Sequence, residues 1–205
     1  MSKGIFISCE GSDGSGKTTN VKLLVARLRE LGHDVVYTRE PGGTPLGEEI
    51  RKLLLNNPMA PMTEILLFCA SRAEHLAQLI MPSLALGKIV VCDRFSDSTF
   101  AYQASGRGWY KEVEQMEKFV HGDFEPDYTL FFDVTLEESL HRLKERSGDK
   151  LDVFESERID FRTRVYQGYQ SRLKEKHHRM VRIDAMPSPE DVAKQVVDWA
   201  NSVFG

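Results

Sequence analysis

Eight consecutive residues near the N-terminus have the types and spacing that bind nucleotide phosphates. The pattern G-x-x-x-x-G-K-S/T is matched by Gly11-Ser12-Asp13-Gly14-Ser15-Gly16-Lys17-Thr18. In such a loop the backbone amides point at phosphate oxygens, the lysine reaches the β- and γ-phosphates, and the threonine hydroxyl binds Mg²⁺. The segment follows an apolar run and opens an amphipathic one, which is the context that the motif requires. We therefore predict that all eight residues bind ATP and that Lys17 is catalytic.

A second acidic position follows another apolar run. Asp93 ends the segment Ile89-Val90-Val91-Cys92-Asp93. An aspartate at the end of a buried strand beside the phosphate-loop strand can hold Mg²⁺, directly or through water. Because turns favour aspartate for other reasons, this position is informative only together with the loop. We predict a Mg²⁺ site formed by Thr18 and Asp93.

Three arginines are placed to bind an anionic acceptor. Arg39 and Arg94 each lie two residues beyond the last residue of an apolar run, and Arg72 lies on a helical stretch between them. A guanidinium matches a phosphate with two parallel hydrogen bonds and stays charged. A single arginine is more often a solvated surface residue, but three at such positions indicate a phosphate-bearing substrate.

The elements that must position these residues alternate between strand and helix. Apolar runs of strand length are Ile5 to Cys9, Val35 to Tyr37, Ile89 to Cys92, Tyr128 to Phe132 and Met180 to Ile183. The predicted helices are 17–31, 62–86, 135–145, 157–178 and 188–203. Continuous rather than alternating apolar runs are typical of strands covered on both faces. The alternation predicts a three-layer α/β fold with a parallel sheet, in which ligands bind at the carboxyl ends of the strands.

Composition narrows the class of protein further. The 205 residues are 41% hydrophobic and 28% charged, which fits a single globular domain over 1–205. The formal net charge of -4 argues against a nucleic-acid partner. Cys9, Cys69 and Cys92 lie in apolar runs and are expected to be buried, reduced thiols. We find no signal peptide or membrane span in the sequence and expect a cytoplasmic enzyme without a membrane partner.

Several classes of P-loop protein remain after the loop is identified. The guanine-reading segment N-K-x-D of GTPases does not occur in the sequence. Motor and sensor ATPases usually need longer chains or partner domains. A small-metabolite kinase fits the length, and two alternatives stay open: a kinase for another acceptor, such as a different nucleoside monophosphate or a deoxynucleoside, and a regulator that binds nucleotide without transferring phosphate.

Three segments together resemble the thymidylate kinase (dTMP kinase) family over essentially the whole chain. The first is the phosphate loop with its acidic Asp13. The second, Thr38-Arg39-Glu40-Pro41-Gly42-Gly43-Thr44, is similar to the family's T-R-E-P-G-G-T. The third is Asp93-Arg94-Phe95 with Ser98, Ala101, Tyr102 and Gln103, which resembles D-R-Y/F-x-x-S-x-x-A-Y-Q. The second segment is far more specific than the phosphate loop alone.

The resemblance implies a function and a set of roles. It implies phosphorylation of dTMP to dTDP with ATP and Mg²⁺ in dTTP biosynthesis, a P-loop fold of the nucleoside-monophosphate-kinase type, and a homodimer. The expected roles are a hydrogen bond from the 3′-hydroxyl to Asp13, phosphate binding by Arg39 and Arg94, thymine stacking on Phe68, a bond from Arg72 to O4, and contacts from Arg51, Thr99, Tyr102 and Gln103. Asp13 and Arg94 are thereby expected to be catalytic as well.

The residue spacing agrees with this implied acceptor site. Phe68 and Arg72 are four residues apart and therefore lie on one face of a helix. A flat apolar ring beside a planar donor suits a pyrimidine, although core packing is the ordinary role of such a phenylalanine. Tyr102 beside the sugar could crowd a 2′-hydroxyl and so favour deoxyribose.

The sequence departs from the family in the predicted mobile lid, at about 142–155. Bacterial members lack an arginine in the phosphate loop and supply one from this lid, and Gly14 and Ser15 agree with that type. The usual continuation resembles L-D-R-F/I-E, but here it reads Leu151-Asp152-Val153-Phe154-Glu155. Val153 stands in place of the arginine. We therefore predict Arg146 as the catalytic lid arginine, with Arg142 and Lys150 as alternatives.

Overall fold

The structure, a computed structural model, describes residues 4–147 and 155–205, with the side chains of 4–145 and 159–205. Its five described strands are all parallel and lie in the order β2-β3-β1-β4-β5. Their bounds are β1 (Ile5–Glu10), β2 (Val35–Arg39), β3 (Ile89–Asp93), β4 (Tyr128–Asp133) and β5 (Met180–Asp184). The strand that precedes the phosphate loop is therefore central.

Helices connect successive strands, and one helix follows the last strand. They are α1 (Lys17–Glu30), α2 (Pro45–Asn56), α3 (Pro61–His75), α4 (Met81–Ala85), α5 (Ser96–Thr99), α6 (Tyr110–His121), α7 (Leu136–Ser147), α8 (Glu155–Glu175) and α9 (Pro189–Phe204). A π-helical turn over Leu76–Ile80 joins α3 to α4, and a second over Phe100–Gly106 extends α5. Such turns often occur at functional sites, and the second one carries Tyr102 and Gln103.

Helices cover both faces of the sheet. On one face α1 and α9 bury Leu24 and Val196 against strand residues such as Ile7. On the other face, Ile80 packs on Val90, and α8 packs on β4. This arrangement confirms the predicted three-layer α/β fold with a parallel sheet.

All five predicted strands are confirmed, each extending one or two residues beyond its apolar run. The added residues are Glu10, Thr38 with Arg39, Asp93, Asp133 and Asp184. The predicted helix 62–86 is observed as α3, a π-helical turn and α4, and the other four predicted helices correspond to α1, α7, α8 and α9. The helices α2, α5 and α6 were not among the predicted helices. Ser188 caps α9, since its hydroxyl accepts a hydrogen bond from the Asp191 amide at 3.2 Å.

The three cysteines are buried and unpaired, as expected. Across the described parts of the chain, we find no helix with the length and apolar character needed to cross a bilayer. The predicted lid includes residues 148–154, which lie outside the described residues, so the lid remains a prediction.

The sheet brings the chemically active strand ends together. Cys9 of β1 and Arg39 of β2 both lie opposite Asp93 of β3 in the strand register. The phosphate loop starts directly after Glu10, so the loop, Asp93 and Arg39 share the carboxyl edge of three adjacent strands. This edge is where the predicted residues converge.

Candidate active site

A cavity of about 660 Å³ opens at the carboxyl edge of the sheet. Its walls come from the segments that follow β1, β2 and β3 and from the facing helices α2 and α3. The predicted site residues that line it are Ser12, Asp13, Gly14, Ser15, Gly16, Lys17, Thr18, Arg39, Arg51, Phe68, Arg72, Asp93, Arg94, Thr99, Tyr102 and Gln103. Residues from five separate stretches of the chain thus face one space.

Two predicted site residues, Gly11 and Arg146, are not found among the described residues that line the cavity. Gly11 is buried at the start of the phosphate loop, where a Cβ would come within 2.9 Å of the Phe132 carbonyl oxygen. Its role is to let the loop pass close to β4. Arg146 lies in the last turn of α7, and its side chain is outside the described residues. Lys150 and Val153 are also outside them.

The phosphate loop, residues 11–18, depends on backbone conformations that favour glycine. Gly14 has φ 84° and Gly16 has φ 76°, in the left-handed region that other residues enter only at a cost. Gly16 directly precedes α1, so the first free amides of that helix face the cavity. A loop of this form at a helix N-terminus attracts phosphate.

Lys17 and Asp93 form a buried ion pair in the middle of the cavity wall. The Thr18 hydroxyl lies 3.4 Å from the second oxygen of Asp93. Burial, and next the charge of Arg94, lower the pKa of Lys17, while Asp93 acts in the opposite direction. The lysine is therefore held by one carboxylate, which incoming phosphates can replace as its partner.

The chemistry of this pair of side chains suits Mg²⁺. A hydroxyl and a carboxylate oxygen are hard ligands, and Mg²⁺ typically takes one or two protein groups and completes its shell with phosphate oxygens and water. Among the described residues there is no cluster of three or more His, Cys, Asp or Glu side chains that could hold a metal by itself. Thr18 and Asp93 could therefore hold Mg²⁺ only together with a phosphate-bearing ligand.

Five residues form what we call the acceptor wall: Arg39, Arg51, Phe68, Arg72 and Arg94. Arg39 is half-exposed and donates to Glu48 at 2.8 Å. Arg51 donates to the Pro41 carbonyl at 2.8 Å. Burial and then the charge of Arg39 lower the pKa of Arg51. Neither Arg39 nor Arg51 is enclosed by carboxylates, so this part of the wall can receive an anion.

Arg94 is held more firmly than Arg39 and Arg51. Its backbone has φ 73°, which is costly for a residue with a side chain. Its amide donates to the Cys9 carbonyl at 2.9 Å. The guanidinium donates to Asp13 at 2.9 Å and lies 5.0 Å from the centre of the Tyr102 ring. Arg94 therefore connects the acceptor wall to the acidic residue of the phosphate loop.

Arg72 belongs to a buried ion-pair network as well as to the cavity surface. It donates to Glu40 at 2.8 Å and to the Thr99 hydroxyl at 2.8 Å, with a weaker contact of 3.4 Å to Glu117. Its side chain is only 2% exposed. Burial alone would raise the pKa of Glu40, but the charge of Arg72 and the His75 hydrogen bond outweigh it, and the pKa lies below its usual range. Three of the five guanidinium N–H groups are engaged, leaving two for a ligand.

Phe68 and Gln103 complete the side of the cavity around Arg72. Phe68 is half-buried, and its ring borders the open space. The Gln103 amide nitrogen donates to Glu64 at 2.8 Å, which fixes the orientation of the amide. A flat ring beside oriented polar groups is a surface that can bind a planar heterocycle.

Sequence reasoning missed several residues around the site. Tyr37 and Pro41 also line the cavity. Glu10 lies behind it and contacts the segment that carries Arg94. Glu10, like Asp93, is an acid at the end of a buried strand, so the pattern that predicts Asp93 also predicts Glu10. Tyr169 of α8 also lies beside Glu10 and Arg94, and no sequence motif around it predicts this position.

The family model, the curated relatives and a solved structure that match this chain all carry the same description. Residues 9–196 match the family model described as thymidylate kinase. A thymidylate kinase from Synechococcus sp. (strain JA-2-3B'a(2-13)) is 46% identical, covering 94% of this chain and 92% of its own. One from Pseudomonas putida (strain F1) is 49% identical, with 94% and 93% covered. The crystal structure of thymidylate kinase from Ehrlichia chaffeensis superposes with a TM-score of 0.77 at 36% identity, covering 96% of this chain and 98% of the other.

Proposed function

This chain belongs to the thymidylate kinase family, and we propose that ATP, bound with Mg²⁺, donates the phosphoryl group that it transfers to dTMP. The phosphorylation of dTMP to dTDP, a step of nucleotide biosynthesis, is the activity that its family membership assigns to it. The alternative of a regulator without transferase activity is thereby set aside. The observation that supports the assignment of sites is that one cavity joins the phosphate loop to the four arginines of the acceptor wall.

The donor nucleotide is assigned to the phosphate loop. Residues 11–18 offer backbone amides to the phosphates, and Lys17 moves from Asp93 to the β- and γ-phosphates when they arrive. Thr18 and Asp93 would hold Mg²⁺. When bound, Mg²⁺ offsets the negative charge of the donor phosphates.

The acceptor phosphate is assigned to the cations opposite the loop. Arg39 and Arg94 bind the phosphate of dTMP, and Arg51 adds positive charge beside them. Guanidinium groups suit this role because they stay charged and bind phosphate through two bonds. Asp13 accepts a hydrogen bond from the 3′-hydroxyl, so it contacts both the sugar and Arg94.

The base and sugar are assigned to the adjoining surface. Thymine stacks on Phe68, and the remaining N–H groups of Arg72 donate to O4. Thr99 and Gln103 face the base, and Tyr102 lies beside the sugar, where it crowds a 2′-hydroxyl. The acceptor is thus held at its phosphate, its sugar and its base.

The chemical step needs alignment and charge more than covalent help. The nucleophile is a phosphate oxygen of dTMP that is already ionised, since the second pKa of a phosphate monoester is about 6, and no general base is needed. Arg94 stabilises the negative charge that the transferring group carries. The arginines and the loop hold donor and acceptor oxygens in line.

A lid over residues 142–155, within a single domain, is proposed to complete the donor side and exclude water. Arg146 is its first candidate for the catalytic arginine. Arg142, the alternative, lines the cavity from α7 while donating to Glu138 at 2.7 Å. Lys150 is the remaining alternative.

We also propose a homodimer in the cytoplasm. The packed helices α3 and α6 expose large apolar side chains, among them Leu66 and Phe119, the latter 88% exposed. A second copy of the chain is the partner that the family resemblance implies for such a surface. Light scattering on the wild type and on Phe119→Glu tests the dimer; a monomeric wild type at micromolar concentration refutes it.

The proposed compartment is supported by the cysteines, since three buried cysteines that remain thiols suit a reducing environment.

The decisive experiment is a coupled assay that supplies ATP and Mg²⁺ with a panel of acceptors. The panel contains dTMP, dUMP, other nucleoside monophosphates and thymidine. We expect rapid transfer to dTMP that depends on both ATP and Mg²⁺. Efficient transfer without a divalent cation, or from another donor in preference to ATP, refutes the proposed donor and metal. A stronger response to another acceptor refutes the assigned base contacts.

A further inference from the structure

Glu10 is a fully buried carboxylate that the reaction scheme has not used. It ends β1 and is 0% exposed. One oxygen accepts a hydrogen bond from the Phe95 amide at 2.7 Å, and the other accepts one from the Ser98 hydroxyl. The Tyr169 hydroxyl lies 3.5 Å from this second oxygen. A charged group in such a position needs a reason, because removing it from water is costly.

The two hydroxyls next to Glu10 both contact the same nitrogen of Arg94. The Nη1 of Arg94 lies 3.1 Å from the Ser98 oxygen and 3.0 Å from the Tyr169 oxygen. The two oxygens are 2.9 Å apart. A layer of two hydroxyls thus separates the buried carboxylate from the guanidinium.

The chemistry of these groups sets the direction of the hydrogen bonds. An ionised carboxylate only accepts, and a guanidinium only donates. When Glu10 is ionised, the hydroxyl protons therefore point away from Arg94, towards Glu10 or towards the other hydroxyl, and their lone pairs face Arg94. Burial, and then the charge of Asp97, raise the pKa of Glu10 to about 7. Retaining an acid in this place is costly, which favours a positioning role over simple packing.

We propose that Glu10, Ser98 and Tyr169 form a positioning relay that orients Arg94 for the phosphate of dTMP. The inference rests on the proposed function in one respect, the role of Arg94 in binding that phosphate. Nη1 is directed by the relay, and Nη2 is directed by Asp13 at 2.9 Å. With both nitrogens held, the guanidinium plane faces the acceptor before the substrate arrives. None of the three relay residues needs to touch the reacting atoms.

Glu10→Gln is the variant that tests the relay most sharply. The amide keeps the shape of the carboxylate, and its oxygen can still accept from the Phe95 amide. Its NH₂ group, however, donates to the hydroxyls and turns their protons towards Arg94. Because a hydrogen bond to a charged group is disturbed, we expect the KM for dTMP to rise about ten- to a hundredfold, with the KM for ATP unchanged.

A comparison of two ligands separates positioning from general damage. Calorimetric titration should show that Glu10→Gln weakens binding of dTMP but not of thymidine, which has the same base and sugar and no phosphate. A structural role for Glu10 predicts equal losses for both ligands, and that result overturns the relay. Glu125→Gln is the matched control, since this acid pairs with Lys176 and Arg179 away from the cavity. It should leave binding of both ligands unchanged.

A double-mutant cycle then tests whether Glu10 acts through the hydroxyls. In the background Ser98→Ala with Tyr169→Phe, the relay is already interrupted, so adding Glu10→Gln should produce little further loss of dTMP affinity. If Glu10→Gln has the same effect in both backgrounds, Glu10 acts on Arg94 through its charge alone and the relay is wrong.

Arg94→Ala distinguishes failure of the relay from failure of the proposed function. If Arg94→Ala loses affinity for dTMP while Glu10→Gln keeps it, the relay is overturned and the role of Arg94 stands. If Arg94→Ala binds dTMP normally, the assignment of Arg94 is wrong, and the relay fails with it. Loss of dTMP affinity in both variants, with thymidine binding retained, is the expected result.

Discussion

The phosphate loop and the acceptor wall face each other across one cavity but are built differently. The loop is eight consecutive residues whose shape depends on glycines with positive φ and on the start of α1. The acceptor wall is assembled from side chains on β2, α2, α3 and the segment after β3. The loop presents mainly backbone groups, whereas the wall presents guanidinium groups and a ring.

The difference extends to how the two regions are stabilised. The loop needs few partners beyond its own backbone and the Lys17–Asp93 pair. The wall depends on buried carboxylates behind it, with Glu40 behind Arg72 and Glu10 behind the hydroxyls that contact Arg94. Substitutions in the loop should therefore act through its backbone shape and its contact with the donor phosphates, while substitutions in the wall should act through its buried carboxylates as well.

Lys17→Ala should have the largest effect on the reaction. It removes the cation that reaches the donor phosphates, and loss of such a group reduces kcat by more than about a hundredfold. Steady-state kinetics together with the melting temperature give the measurement. Lys22→Ala, an exposed lysine on the same helix, is the control. Near-normal turnover in a folded Lys17→Ala enzyme would remove the assignment of the loop.

The proposed lid should act together with the phosphate loop on the donor phosphates. Arg146→Ala should lower kcat by at least about a hundredfold, because an arginine that contacts the transferring phosphoryl group acts mainly in the transition state. The KM for dTMP should stay nearly unchanged. Arg142→Ala and Lys150→Ala are measured beside it. If one of these loses kcat and Arg146→Ala does not, the lid arginine is misassigned; if none does, the charge comes from elsewhere.

Arg72→Ala should be the most destabilising change in the wall. It leaves Glu40 buried without its main cation, and breaking a buried ion pair costs about 3–5 kcal/mol of unfolding free energy. Arg39→Ala breaks an exposed pair and should cost at most about 1 kcal/mol. Denaturant unfolding of both variants gives the comparison. Equal losses would mean that the wall does not depend on its buried carboxylates.

Phe68→Ala should affect the acceptor and spare the donor. By analogy with proteins that bind single-stranded nucleic acids, loss of base stacking should cost about 1–3 kcal/mol, so the KM for dTMP should rise by a corresponding factor with the KM for ATP unchanged. Phe204→Ala, which removes a ring from the aromatic cluster with Tyr128 and Trp199, is the matched control. A rise in the KM for ATP with dTMP unaffected would mean that the two sites are reversed.

The smallest expected effect is the pH dependence that Glu10 adds to stability. Its pKa is about 7 in the folded chain, against an ordinary value of 4.5. The folded state therefore binds the Glu10 proton more tightly than the unfolded state does. The stabilisation that this proton provides is lost as pH rises from about 5 to about 7. Relative to Glu10→Gln, the wild type should lose about 1 kcal/mol per pH unit in this window.

Glu48→Gln provides a control of opposite sign for that measurement. The Arg39 hydrogen bond holds the pKa of Glu48 below its usual range. Its contribution is present above the ordinary carboxyl pKa and is lost as pH falls. Unfolding curves between pH 3 and pH 8 give both differences. A flat difference for Glu10→Gln would show that Glu10 does not titrate in this range.

The fold was predictable where the sequence pattern was strong. Five apolar runs gave five strands because a strand covered on both faces must be apolar along its length. The segment over Ser96–Gly106 was missed because it is a short helical turn followed by a π-helical turn, and its residues are nearly all buried, which removes the usual amphipathic period. For α6 a signal was present, since Val113, Met116 and Val120 have helical spacing.

Within the candidate site, residues of a local motif were predictable from the sequence, whereas contacts between distant residues were not. Lys17 and Thr18 could be assigned from their spacing because the phosphate loop is a local structure. Arg72 was predicted to face the cavity, but nothing in the sequence indicated its three protein partners. Glu40, Thr99 and Glu117 lie 32, 27 and 45 residues away along the chain.

The sequence by itself determined the layered fold, the phosphate loop and the family, because these depend on periodicity and on consecutive residues. Only the tertiary structure decided which acids lie behind which arginines. Glu10 and Tyr169 are 159 positions apart, yet their side chains meet beside Arg94. The physical reason is that parallel strands place their carboxyl ends at one edge, while the helices that return between them bring distant side chains to the same point.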